Sequence, residues 1–213
     1  MNITLLCNDA KHPVNAHLEK WMANAAAQHK VTLVRTMAEA TGGDILFLIS
    51  STEIILTQDR VRYRASLVLH ASDLPKGRGW SPHIWALSEG AELITLSLLE
   101  AEDKVDSGRI WKKLQIPVPR HALWDEINHL LFNAEISLMD FAVKNFSNIE
   151  PLHQPTDVEA TYYPRRTPQN SRIDPEKSIA MQFDLIRVCD PNRFPAFFDF
   201  RGQRYLLKLE KLQ

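Results

Sequence analysis

The sequence predicts an α/β protein built on a doubly wound, mostly parallel sheet, with a small C-terminal helix-plus-hairpin extension. Three observations carry this. Short apolar runs at 3–7, 31–34, 44–49, 66–69 and 93–98 are continuous rather than alternating, the pattern of strands covered on both faces. Helical stripes and short links separate them. Composition then changes near Asn148, beyond which apolar periodicity fades.

Taken in order, residues 3–7 form the first strand, and a polar loop from Asn8 to Pro13 follows. Val14, Leu18, Trp21, Met22, Ala25 and Ala26 then recur at helical spacing, so a helix packs on the sheet. The strand at 31–34 comes next, and Gly42-Gly43 introduces the strand at 44–49. Strands at 66–69 and 93–98 complete the predicted sheet, which is Rossmann-like in its alternation of strand and helix. A long helix covers 124–145, with Ile127, Leu130, Leu131, Ala134, Leu138, Phe141 and Ala142 on one face.

Residues 1–148 therefore read as one domain and residues 149–213 as an extension. The extension opens on a Pro-, Gln-, Thr- and Arg-rich stretch to Ser171 that runs extended over the surface. Asp174-Pro175-Glu176 reads as the N-cap of a short helix that buries Ile179, Phe183 and Ile186. A hairpin turning at Arg201-Gly202 ends the pattern.

The 213 residues are 45% hydrophobic and 24% charged, ordinary values for a chain that buries a core. Twenty-five basic side chains oppose twenty-six acidic ones, a formal charge of -1. This balance argues against nucleic acid as the main partner, because phosphate binding leaves a basic footprint. A small anionic ligand, held by two or three local cations, stays open. Cys7 and Cys189 are isolated and read as reduced thiols; no metal-type pair is present. The start of the chain lacks a basic n-region, and no stretch approaches ~20 apolar residues, so a cytoplasmic protein without a membrane span is expected.

Doubly wound sheets bind ligands outside the carboxyl ends of their strands. Two segments there carry reactive groups. In LHASDLPKGRGWSPHIWAL, residues 69–87, His70 directly follows a strand. In LLEAEDKVDSGRI, residues 98–110, Asp106 follows a strand within an acidic loop. A histidine and a carboxylate at neighbouring strand ends form an acid-base pair in which the carboxylate orients the imidazole. Spacing alone leaves the bland alternatives standing: a structural histidine, and an aspartate that forms a turn.

Together these residues carry a resemblance. His70, Ser72, Leu74 and Pro75 in the order H-x-S-x-L-P, then Arg78-Gly79 and Pro82, resemble the signature of the folate-dependent formyltransferases. Val105-Asp106-Ser107-Gly108-Arg109-Ile110 matches that family's second block. Tyr162, Arg166-Thr167-Pro168 and Arg172-Ile173-Asp174 are similar to the segment after the catalytic domain in the members that act on tRNA or sugars. The family comprises methionyl-tRNA, glycinamide-ribonucleotide and nucleotide-amino-sugar formyltransferases. The resemblance implies a formyltransferase fold for residues 1–148 and transfer of a formyl group from N10-formyltetrahydrofolate to a primary amine. It assigns His70 as donor to the developing oxyanion and Asp106 as proton acceptor or relay. One departure stands out: the family motif N-x-H is here Val68-Leu69-His70, so the Asn donor is missing. A backbone N–H, an ordered water, Ser72 or a residue from another loop replaces it, or turnover is lost.

The same resemblance places the folate between the loop from Ser50 to Leu56, with Ile54 and Ile55, and the acidic loop at Glu102 and Asp103. Ser72, Lys76, Arg78 and Trp80 are the substrate-binding candidates, with solvated turn cations and aromatic core cover as the alternatives. Lys11, His12, Asn15, Arg165 and Arg166 are read as cap and surface residues that also lie within reach of an anion. The GRGWSP loop, the near-zero charge and the short extension resemble the nucleotide-sugar enzymes most. The expected substrate is then a nucleotide-linked amino-deoxy sugar, such as a UDP-4-amino-4,6-dideoxyhexose of nonulosonic (pseudaminic or legionaminic) acid synthesis for surface polysaccharide. Methionyl-tRNA is the second candidate and a binding module without turnover the third. A homodimer is expected by analogy alone.

Overall fold

In the computed structural model, which describes residues 1–212, six strands form one sheet in the order β2-β1-β3-β4-β6-β7. These are β1 (Asn2–Leu6), β2 (Lys30–Val34), β3 (Gly43–Leu48), β4 (Tyr63–His70), β6 (Leu93–Glu100) and β7 (Ile110–Pro117). Between them, β5 is the pair Arg78–Gly79. The first four strands of the sheet are parallel, whereas β6 runs antiparallel to β4, and β7 antiparallel to β6. The helices are α1 (Asn15–Ala25), α2 (Thr57–Arg60), α3 (Pro82–Ser88), α4 (Trp124–Asn145) and α5 (Ile179–Arg187). None is long and apolar enough to cross a membrane.

Side-chain alternation sorts the sheet into two faces. Ile3, Leu5, Ile45, Phe47, Leu67, Leu69, Leu96 and Leu98 pack under α1 and α4, joined by Leu18, Trp21, Ile127, Leu131, Leu138 and Met139. Leu6, Leu46 and Leu48 point the other way, under Met37, Ala40, Ile55 and Tyr63, with Val68 and Ala101 against them. The two long helices therefore share one face. The opposite face has a thinner cover, a 3-10 turn at Met37–Glu39, α2 and loops.

β7 lies outside the predicted strands, and its sequence shows why. In IWKKLQIP the buried Trp111 and Ile116 stand five positions apart with Lys112, Lys113 and Gln115 between them, and a bulge at Trp111, opposite Leu98 and Leu99, breaks the two-residue period, so no continuous apolar run marks the strand. Its paired lysines also suit a sheet edge, where charge discourages further pairing. The N-cap of the last helix is likewise Ser178 rather than Asp174. Ser178 Oγ accepts from Met181 N at 3.3 Å, while the Asp174 carboxylate accepts from Glu176 N in the turn before.

The C-terminal stretch is bound along its length. Residues 161–163 form a strap that zips onto the loop after β4: Tyr162–Tyr163 is a strand, β8, parallel to β5. Arg78 N donates to Thr161 O at 2.9 Å, Trp80 N to Tyr163 O at 3.1 Å, and Gly77 N to Thr161 Oγ1 at 2.8 Å. Farther on, Ile173, Ile186, Cys189 and Ala196 make a small third core. The fully buried Arg187 guanidinium spans from Asp184 to the Pro119 and Ala91 carbonyls, joining α5 to the loops at the ends of β7 and α3. β9 (Ala196–Phe200) and β10 (Gln203–Leu207) form the predicted hairpin, turning at Arg201-Gly202 with φ of 50° and 78°. Positive φ at both turn residues matches the right-handed twist of the flanking strands.

Glu135 is the one carboxylate on the buried face of α4. Its Oε2 has no partner, and burial pushes its pKa up to about 8. The folded state therefore keeps this proton between about pH 4.5 and 8, where the unfolded chain loses it, so stability falls as pH rises through that window. Glu135→Gln should remove a cost on the order of 4 kcal/mol at pH 8 and leave stability unchanged below pH ~4.5, as read by urea denaturation across pH. Gly79, at φ +94°, has the Tyr163 carbonyl 2.5 Å from where a Cβ would stand. Gly79→Ala should cost about 1–3 kcal/mol and expose the strap to limited proteolysis.

Candidate active site

His70 is the last residue of β4, two positions beyond Val68 and on the same face of the sheet. Across the ladder its partner is Ser97, buried, whose hydroxyl donates to Ser72 O at 2.8 Å and so fixes the start of the following loop. That loop curls back until Gly77 O lies 2.9 Å from His70 Nε2. A carbonyl only accepts, so Nε2 carries the proton and Nδ1 is the edge turned away from the loop.

Nδ1 faces Asp106 Oδ1 at 3.6 Å, and each side chain is only 8% exposed. The route by which Asp106 arrives differs from the neighbouring strand ends expected above. Because β6 is antiparallel, its carboxyl end lies opposite Leu67, not beside the end of β4. Asp106 reaches the histidine because the β6–β7 loop doubles back and the loop after His70 comes to meet it. Gly79 N donates to Asp106 Oδ2 at 2.8 Å. Two features shape the turn: Asp106 has φ +53°, and Gly108 is packed so closely on Glu100 O that no Cβ fits between them.

The other site candidates separate into three groups. Ser72 lies beside Gly77, and its Oγ is buried without a partner, while Trp80 is 37% exposed with the Arg165 guanidinium 5.0 Å above its ring. Lys76 is exposed on the same loop. Arg78, by contrast, is 7% exposed, and its guanidinium is held by Gln154 Oε1 at 2.6 Å and Tyr162 Oη at 3.1 Å. Its two terminal nitrogens are thus bound inside the protein, while Nε is buried without a partner. In the third group, Ser50 and Ile54 face solvent, Ile54 at 76% exposure, while Ile55 is consumed by the second core cluster. Glu102 is exposed, and Asp103 binds Arg60 at 2.6 Å and Thr57 at 3.0 Å. The hydrogen bond from Arg60, then that from Thr57, holds the Asp103 carboxyl below its usual range. Those bonds tie α2, which follows the loop from Ser50 to Leu56, to the acidic loop after β6, and Ala101 packs on the cluster that contains Ile55.

Three contributors, His83, Gln154 and Thr161, were absent from the sequence reading, which had His12 as a cap residue. His83, inside the 69–87 stretch, has a buried Nδ1 without a partner. Burial pushes its pKa down to about 3, and the positive ends of His70, His12 and Arg166 add to that, so it stays neutral. His12 is driven to about 4 by burial and then by Arg193, and its Nδ1 accepts from Val14 N at 3.2 Å, a local cap. Gln154 and Thr161 lie in the stretch without periodicity, where only the neighbouring Tyr162 match signalled a role. Among the described residues, no three His, Cys, Asp or Glu side chains are grouped to hold a metal ion.

No family model matches the chain. A methionyl-tRNA formyltransferase from Protochlamydia amoebophila is 26% identical over 152 residues, 70% of this chain; the chain spans about half (47%) of that relative's length. Among solved structures, methionyl-tRNA formyltransferase from Clostridium thermocellum superposes with TM-score 0.81 at 22% identity, over 96% of this chain and 90% of that one. A 4-N formyltransferase from Francisella tularensis gives TM-score 0.76 at 14% identity, over 100% and 98%. HypX from Aquifex aeolicus, solved with tetrahydrofolic acid, gives 0.75 at 18%, over 96% of this chain and 37% of that one. This chain, then, is similar in sequence to a methionyl-tRNA formyltransferase and carries the formyltransferase fold.

Proposed function

We propose that the chain is an N-formyltransferase that moves the formyl group of N10-formyltetrahydrofolate to the amine of a nucleotide-linked amino-deoxy sugar. The observation that carries this is the pair His70–Asp106, with Nδ1 and Oδ1 3.6 Å apart and both turned away from bulk water. That gap exceeds a hydrogen bond, so a substrate polar atom can sit within reach of both.

The surroundings suit a folate. Val68 and Ile54 offer incompletely covered apolar surface, and Ser72 Oγ is a buried hydroxyl that nothing in the protein satisfies. Bound there, N10-formyltetrahydrofolate supplies the formyl carbon. The amine nitrogen bonds to that carbon, the carbon–N10 bond breaks, and the proton leaving the amine ends on N10. His70 in its doubly protonated form keeps Nε2 on Gly77 O and presents Nδ1–H to the oxygen on which charge develops. Asp106, anchored by Gly79 N–H, accepts the amine proton or relays it through a water. Val68 contributes no donor, which leaves Ser72 Oγ, backbone or water to share the oxyanion.

For the acceptor, the formal charge of -1, which leaves no basic footprint for tRNA phosphates, favours a small nucleotide sugar, with UDP-4-amino-4,6-dideoxyhexose as the leading candidate. The methionyl-tRNA relative favours tRNA as a second reading. The test is formyl transfer by the purified protein to UDP-, dTDP- and CMP-linked amino sugars and to methionyl-tRNA, followed by mass spectrometry. The expected result is a formamide on one amino sugar, with His70→Ala and Asp106→Asn each lowering kcat by about 10²–10⁴-fold. Transfer to tRNA alone would install the second reading. Folate binding without transfer to any amine would leave an inert binding module.

A further inference from the structure

We propose that Gln154 is a positioning residue for Asp106, clamping the turn that presents the carboxylate to His70. The proposal rests on the reading of His70 and Asp106 as the reacting pair. Gln154 lies two residues beyond Leu152, which pairs antiparallel with Ile110 at the start of β7, and that pairing brings the glutamine alongside the 106–108 turn. Its side-chain Nε2 donates to Asp106 O at 2.8 Å and to Gly108 O at 3.0 Å. Its Oε1 accepts from Arg78 Nη2 at 2.6 Å. The orientation of the amide follows from its partners: two carbonyls require the NH₂ and a guanidinium requires the oxygen.

The arrangement has a mechanical reason. Asp106 holds a left-handed φ of +53°, which a non-glycine residue keeps only when its surroundings over-determine it. The Gly79 N–H restrains the carboxylate end, and Gln154 restrains the backbone on both sides of Ser107. The far end of the clamp is rigid, because Arg78 is buried, pairs through its backbone with the strap and contacts Tyr162. Arg78 thus serves the site from within: its charge strengthens the bond that orients the Gln154 amide. Gln154 touches no reacting atom, so its effect falls on the chemical step rather than on binding.

The decisive variant is Gln154→Glu, which still accepts from Arg78 but has no N–H to offer either carbonyl; Gln154→Leu removes both functions. In each, kcat should fall about tenfold or more with KM for folate and amine within about twofold. The Gly79 amide, freed as Asp106 drifts, should exchange with deuterium about tenfold faster, while the Trp80 amide on Tyr163 O is unchanged. In the unaltered protein, the Gln154 side-chain amide protons should be protected at least about tenfold over those of exposed Gln28. Unprotected Gln154 protons would overturn the proposal, as would a Gln154→Glu protein with the parent's kcat and Gly79 exchange. If the parent transfers formyl to no amine, the functional reading fails, yet the exchange at Gly79 and Gln154 still decides the clamp.

Discussion

The site depends on one carboxylate satisfying two constraints at once. Asp106 accepts the Gly79 N–H through one oxygen and turns the other towards His70 Nδ1. Gly79 belongs to the loop that also supplies the Gly77 carbonyl to His70 Nε2. The imidazole therefore lies between two segments that are themselves joined, and its ring cannot turn without breaking the Nε2 bond to Gly77 O in a nearly dry environment, where such a bond is costly to lose.

That joint is stiffened from outside the sheet. The strap at 161–163 gives the loop backbone partners, so a stretch with little secondary structure of its own behaves as an edge of a small parallel ladder. The C-terminal stretch is thus part of the site's scaffold rather than an attachment to it. Gly77 and Gly79 occupy positions where a side chain would strike Ser72 or Tyr163 O, which explains why the loop is spelled with glycines around a buried arginine.

Electrostatics around the pair follow from burial more than from net charge. His83 and His12 are kept neutral by desolvation, so cationic competitors are removed from the neighbourhood of His70. Arg78 binds Gln154 and Tyr162 inside the protein, whereas Asp73, Lys76 and the Trp80–Arg165 stack face outwards from this loop. The second face of the sheet is thinly covered, and Val68, apolar and two positions before His70, is only partly buried there.

The parallel core, α1, α4 and the hairpin were legible in the amino-acid order because each follows from local periodicity or turn chemistry, whereas α5 was legible in place but not in face or cap, since Ile179 is 49% exposed and Ser178 caps it. His70 and Asp106 were legible as candidates, from their places in two ordered motifs. β7 escaped because Lys112, Lys113 and Gln115 break up its apolar residues, where continuous runs were sought. The placement of Asp106 was decided by tertiary structure. An antiparallel β6 sends its loop away from the end of β4, and only the folding back of two loops restores the contact, which no residue spacing encodes. The commitments of Arg78, Gln154 and Ile55 were also settled by packing. Whether a long cation or an apolar branch faces a ligand or its own protein depends on which distant segment arrives beside it, and the bond from residue 78 to residue 154 spans chain that has no local reason to meet.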